Sequence, residues 1–352
     1  MRKILYGCAL VGAAFLGAAI TVAARPPVRI VVAAPAPHHV VAEHVRRAVA
    51  QRAHPHRHRA VAATQRRPAA RLAVRRLPRP RATPSLYERT TAPTVLRRQG
   101  CRAGRARFSG IIVLDFGKLA YRRHTYGTIA FSGNFASNRS ITWALKSYAR
   151  GYFRCLPRWS KARISLARGT SNYRPSVPSV YRAGRLWAAE TLTLARYLRR
   201  HRFDSHVRAA AADDVEPAWD RTFRRTHDFF SGFRSARTCY LLYNYGSLDG
   251  GAGGIWNVRQ AYYVAGGMRY ARAVPEIYNR AMARQWARLS RLGVRYYGKP
   301  VQFAGVMTQG ARGCRCGLSP AQAHAALVRE LSRHPRTRVR RLAAVTNIRS
   351  PD

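Results

Sequence analysis

The chain has 352 residues, enough for two average domains, and carries 64 Lys+Arg against 14 Asp+Glu, a formal net charge of +50. That balance excludes a surface of evenly interspersed opposite charges and predicts attraction to anionic polymers. Acids are so scarce that any cluster of them needs its own explanation.

Residues 1–24 read as a secretory signal: Arg2 and Lys3, an uncharged apolar run from Ile4, and the small residues Val22-Ala23-Ala24. The run is also about as long as a membrane span, so residues 4–24 can alternatively serve as an anchor. Cys8 lies too early in it for lipid attachment. Residues 25–100 carry 17 Arg, no Lys and only Glu43 and Glu88 as acids, and are expected to form a disordered basic linker. His54, His56 and His58 alternate there without making a structural metal site. Export permits disulfides, and five cysteines follow the signal: Cys101, Cys155, Cys239, Cys314 and Cys316. Cys101 is the expected staple at the start of the folded region, and Cys314-Arg-Cys316 is too tightly spaced for a zinc pair.

From 101 to 352 short apolar strands alternate with helical stretches. Ile111–Asp115 reads as a buried parallel strand ending in an acid, followed by a helix near 141–153. Arg163–Ala167 is a strand leading into a loop at Gly169–Asn172, and Trp187, Thr191, Leu194, Ala195 and Leu198 mark an amphipathic helix. Val207–Val215 is the next strand, 223–233 a helix, Cys239–Tyr245 and Ala261–Ala265 strands. Pro275 suits the first turn of a helix with Tyr278, Met282, Trp286 and Leu289 on one face. Val301–Met307 is the last strand, and Ser319 and Pro320 cap and open a final helix. Repeated strand–helix units over about 230 residues predict an α/β fold, a (β/α)₈ TIM-barrel-like single domain with a C-terminal helix. No Gly-rich dinucleotide fingerprint follows the first strand, and Gly250–Gly254 lacks the Lys-Ser/Thr of a phosphate loop.

In such a barrel functional groups collect at the carboxyl ends of strands. Four of the 14 acids fall in Asp213-Asp214-Val215-Glu216-Pro217-Ala218-Trp219-Asp220. Alternation puts Asp214 and Glu216 on one side and Asp213 and Val215 on the other, and Pro217 ends the strand. Mutual repulsion drives the pKa values of two such carboxyls apart, leaving one as a general acid, the division glycoside cleavage uses. Asp115 is a third candidate. Trp219, Tyr243, Asn244, Asp249, Asn172 and Gln309 occupy comparable positions and are candidate substrate-binding residues. Asp220 is placed to cap the following helix, Asp213 to pair with an arginine, and Glu276 to meet a helix amino terminus. No metal motif and no cofactor is expected.

Leu114-Asp115, the Asp214-Val215-Glu216 triplet and the barrel periodicity resemble the family 25 glycoside hydrolases, lysozyme-like muramidases. More closely, 113–348 looks like a family of secreted actinobacterial proteins with a glycoside hydrolase-like barrel. The carrying segments are Val113–Gly117, Gly169–Asn172, Ala212–Trp219, Asn244–Ser247, Pro275–Tyr278 and Phe303–Gln309. The resemblance implies Glu216 as general acid, Asp214 positioning or polarising the attacking group or the substrate's own acetamide, and Asp115 supporting the site. The muramidases' Trp-Gln-Tyr ending is replaced here by Met307-Thr308-Gln309. The expected function is a secreted, wall-associated glycosidase acting on peptidoglycan or another cell-wall polysaccharide. The alternative is a non-catalytic platform on a degenerate barrel that binds wall carbohydrate or another anionic polymer. Nucleic acid is not an expected partner.

Overall fold

A computed structural model describes residues 81–309, 317–339, 342 and 344–351. The signal or anchor, the linker up to residue 80, His54, His56, His58, Cys314 and Cys316 lie outside the described residues. Among those described, no helix is long and apolar enough to cross a membrane.

The fold is a nearly closed barrel of eight parallel strands with interleaved helices. In chain order the barrel strands are β1 (Thr83–Tyr87), β2 (Gly110–Arg122), β5 (Ile164–Ser176), β6 (Val207–Asp214), β7 (Leu242–Asn244), β8 (Ala271–Ala273), β9 (Gly305–Gln309) and β10 (Ala344–Arg349). From β1 to β8 each pairs in parallel with the next, β9 pairs with β10, and β10 returns to β1. Between β8 and β9 the seam is held by two single bridges, Ala273 with Phe303 and Glu276 with Met307. The helices are α1 (Pro93–Arg105), α2 (Asn138–Cys155), α3 (Val180–Arg200), α4 (Arg224–Ser235), α5 (Val258–Tyr262), α6 (Arg280–Tyr297) and α7 (Pro320–Ser332). β2 and β5 run on past the barrel rim, and the antiparallel strands β3 (Thr125–Ile129) and β4 (Phe135–Ser137) build a wall on that extension.

The first described element, β1, begins at Thr83 and α1 at Pro93, both within the segment expected to be linker. β1 escapes an apolar-pattern reading because its inward residues are hydroxyls. Ser85 Oγ meets Thr346 Oγ1 at 2.6 Å and accepts from Val113 N–H at 2.8 Å, while Thr83 bonds the Ile111 carbonyl. α1 follows with Leu96, Gly100, Ala103 and Gly104 buried. It packs so closely on α2 that a Cβ at Gly100 would sit 2.0 Å from the Tyr148 carbonyl oxygen. A disulfide from Cys101 to Cys155 joins these two helices. By loop-closure arithmetic a cross-link spanning 54 residues stabilises by about 4 kcal/mol.

Three further segments differ from the sequence reading. Ala261–Ala265 is helical, opened by a capping box in which Asn257 and Gln260 exchange side-chain-to-backbone bonds. The strand expected there is the shorter β8. Pro275 and Glu276 precede α6 instead of starting it: Pro275 O accepts from Met307 N, and Asn279 caps the helix at Met282 N. Gly169–Asn172 continues β5 instead of forming a loop. The remaining expected helices are present, α7 with its Ser319–Gln322 capping box.

Candidate active site

Alternation along the strands decides which side chains enter the barrel. Ile111 and Val113 of β2, Ala210 and Ala212 of β6, Tyr243 and Tyr245 at β7, Val274 after β8 and Met307 of β9 form the interior cluster. The next inward positions at the carboxyl end are therefore Asp115, Asp214 and Glu276, with Glu216 one step past Asp214. Tyr87 enters from β1. Small neighbours make room: a Cβ on Gly169 would lie 2.8 Å from the Asp115 Cα. Val215 packs outward against the helices. Asp115, Asp214 and Glu276 are buried, and Glu216 alone of the four is partly exposed.

These carboxyls raise one another's pKa values. Glu216 is pushed up to about 8, by burial first and then by the charges of Glu276 and Asp249. Asp214 is raised well above the carboxylate range by burial and by Glu276, Glu216, Asp115 and Asp213. Burial raises Glu276 to about 7 against the opposing effect of the Tyr278 hydroxyl. Asp115 rises only to about 6, because the Gly117 N–H at 2.8 Å and the nearby Tyr245 hydroxyl favour its ionised form. That hydroxyl donates to Thr170 O at 3.1 Å, and Asp115 Oδ2 keeps no hydrogen-bond partner. The Tyr87 phenol is raised by burial and by the same four carboxyls, Asp214, Glu276, Asp115 and Glu216, so it sits among them. Among the described residues no lysine or arginine is ion-paired with any of the four. In a chain of net charge +50 that exclusion is a property of the site.

The expected binding residues separate into three groups. Asn172 and Asp249 hold the site's backbone. Asn172 Nδ2 donates to Glu216 O and its Oδ1 accepts from Glu216 N, both at 3.1 Å. Asp249 accepts from Ala218 N at 2.7 Å and from the Ser247 hydroxyl, tying the loop after β7 to the 3₁₀ turn Pro217–Trp219. Trp219 and Gln309 remain on the rim. Trp219 meets Tyr173 edge-on at 5.3 Å, and Gln309 is exposed at the end of β9. Tyr243 and Asn244 leave the site. The Tyr243 hydroxyl bonds Ser165 Oγ at 3.0 Å near the amino-terminal end of the barrel, and buried Asn244 closes a turn by accepting from Gly246 N.

Asp220 is not the N-cap of α4, which is Phe223, but its Oδ2 accepts from Thr226 N in the first turn at 2.8 Å. Among the described residues no ion pair holds Asp213: it is buried, with Oδ1 without a hydrogen-bond partner, and is raised by burial and by Asp115. Sequence reasoning placed Glu276 at a helix terminus and passed over Tyr87, Tyr278 and the rim aromatic Phe131. Phe131 is 47% exposed and packs on the Tyr87 ring at 4.7 Å. Asn279, a better cap than anything before Pro275, was the signal that would have freed Glu276 from α6.

Fold and site together define a (β/α)₈ barrel with an unneutralised carboxylate cluster at its carboxyl end and aromatic rings at the rim. Comparison with protein-family models, with curated proteins and with solved structures found no match. Among the described residues no group of three or more His, Cys, Asp or Glu can hold a metal ion.

Proposed function

We propose that this cluster hydrolyses glycosidic bonds in a cell-wall polysaccharide such as peptidoglycan. The observation that carries the reading is Glu216: a partly exposed carboxyl, raised to about 8, next to more deeply buried carboxyls and in no ion pair among the described residues. At neutral pH it holds its proton and can give it to the departing glycosidic oxygen as the C–O bond breaks. In this reading Asp214 and Glu276 share a negative charge that stabilises the positive charge developing on the sugar and draws a proton from water. Asp115 ionises first and lies deepest, which suits a supporting charge. Tyr87, kept un-ionised by its neighbours, can donate to a sugar oxygen or to one of the carboxylates. Trp219 and Phe131 offer apolar faces to sugar rings at the rim. The Cys101–Cys155 disulfide fits an oxidising, extracellular compartment.

Reducing-sugar release from purified peptidoglycan tests the reading. Wild type should release sugar, and Glu216→Gln should lose at least about a hundredfold in kcat, the scale of a general-acid contribution. Equal rates would overturn the mechanism. Retention of glycan without turnover in the wild type would leave a binding platform on a degenerate barrel.

A further inference from the structure

Above the carboxylates, β2 and β5 pair at Lys118 with Ser171 and next at Ala120 with Ser176. Between those pairs four residues of β5, 172–175, stand against Leu119 alone, a bulge in the extension past the barrel rim. Bulges beside active sites re-aim side chains. Asn172, the first residue of this one, holds Glu216. The next two gather charge. Lys118 Nζ lies 5.7 Å and the Arg174 guanidinium 5.5 Å from the centre of the Tyr173 ring, which meets Trp219 edge-on at 5.3 Å. Arg174 adopts a φ of 36°, in the left-handed region that a non-glycine residue seldom enters. Lys118 is half-buried, and among the described residues neither cation is in an ion pair. Neither is among the charges that shift Asp115, Asp214, Glu216 or Glu276.

We propose that Lys118 and Arg174 form an anion subsite that takes an acidic group carried by the glycan whose sugar lies against Trp219. The proposal rests on the glycosidase reading for its substrate and narrows that substrate to acidic glycans. Cations outside ion pairs are general on this chain. These two differ in being gathered on one ring by a bulge, beside the turn that carries Glu216. Tyr173 is thereby a platform for the cations, and Trp219 next to it is the ring left for a sugar. Sugars carry their charged groups as substituents at the ring edge, so a stacked sugar with an acid at its side matches an aromatic ring with cations at its side. A neutral glycan would leave both cations unused. An acidic glycan approaching the carboxylate cluster alone would be repelled by its ionised members, and the cation pair offsets that repulsion at the rim.

The test is isothermal titration of the full chain with soluble peptidoglycan fragments in three forms: stripped of attached polymers by hydrofluoric acid, stripped and then amidated on their carboxylates, and still carrying phosphodiester-linked polymer. It is run in about 0.3 M salt, where attraction to the dispersed positive charge is largely screened. Wild type should bind an acidic form about tenfold more tightly than the amidated one, two partly exposed charge pairs contributing severalfold each. A preference already present in the stripped form assigns the anion as a carboxylate; one confined to the polymer-bearing form assigns it as a phosphodiester. The variant K118M/R174N, in which Met keeps the apolar chain and Asn tolerates the left-handed backbone, should bind all three forms alike. The control R150S/R288S, which removes two exposed arginines from α2 and α6, should keep the wild-type ratio. Equal wild-type affinity for all three forms would overturn the subsite, whether or not the variants fold. So would a preference that survives in K118M/R174N or is lost equally in the control. Because affinity is read instead of turnover, a wild type that binds acidic glycan without cleaving it would sink the glycosidase reading and leave the subsite standing.

Discussion

Asn172 holds Glu216 by both of its backbone polar groups, each at 3.1 Å, just past the point where the β5–β6 ladder ends at Ser171 and Asp214. Its side-chain amide thus copies a strand neighbour for one more residue, and Nδ2 also reaches Thr226 Oγ1 at 3.0 Å, linking Glu216 to the first turn of α4. Asn172→Ala removes these bonds without touching a carboxyl. It should lower kcat by tenfold to about a hundredfold through misplacement, with KM changed much less. Stability should fall by about 2 kcal/mol from the lost buried bonds, measurable by urea denaturation. An unchanged kcat would mean that Glu216 needs no such grip.

The pH profile gives a sharper test of the pair Glu216–Glu276. With Glu216 raised to about 8, kcat/KM should hold to slightly alkaline pH and fall above it as the proton is lost. Part of that elevation comes from the Glu276 charge, so Glu276→Gln should move the alkaline limb downward. Any activity left in that variant suffices for the measurement. A limb that stays in place would show that the two carboxyls do not sense each other.

Stability should depend on pH in a direction unusual for carboxylates. Glu276, Asp115 and Glu88 are raised to about 7, 6 and 7, chiefly by burial, so the folded chain binds more protons than the unfolded one between about pH 4 and 7. Their contribution is full below the unfolded pKa and is lost as pH rises through the folded value. At about 1.4 kcal/mol per unit, each group makes folding on the order of 3 kcal/mol less favourable at pH 8 than at pH 4. Thermal melts from pH 4.5 to 8 should show Tm falling, and Glu276→Gln should flatten the slope. A Tm that rises across this window would contradict the burial of these acids without cations.

The sequence revealed the barrel and the Asp214–Glu216 spacing because both rest on strong local signals. Alternation over Val207–Asp214 fixes which acids face inward, and the scarcity of acids made the cluster visible. What it concealed follows physical causes. β1 and β10 present Thr83, Ser85 and Thr346 to the interior, so hydroxyl pairing replaces the apolar pattern that marks β2. β8 is three residues long, while the helical run beside it at Ala261–Ala265 is more apolar and imitates a strand. Glu276 follows a proline, which in isolation suggests a helix start; only the seam bridge to Met307 shows the chain still extended there. Tyr87 and Phe131 join the site through pairing between β1, β2 and β3, which no local pattern encodes.

The rim and the floor of the barrel make opposite predictions for two aromatic residues that sequence position alone treated alike. Trp219 stands on the turn directly after Glu216 and is only partly buried, with its ring against Tyr173. Tyr243 is inward and buried, and its hydroxyl is bonded to Ser165 at the far end. Trp219→Ala should therefore weaken glycan binding by about tenfold, the value of roughly one aromatic contact. It should cost little stability, because Trp219 stands outside the interior cluster. Tyr243→Phe keeps the ring and loses one hydrogen bond, at about 1 kcal/mol of stability, and should leave glycan binding unchanged. Isothermal titration with a soluble peptidoglycan fragment, run beside denaturant melts, separates the two effects. Weakened glycan binding in Tyr243→Phe, with Trp219→Ala silent, would place the sugar site at the wrong end of the barrel and remove the basis for the catalytic assignment of Glu216.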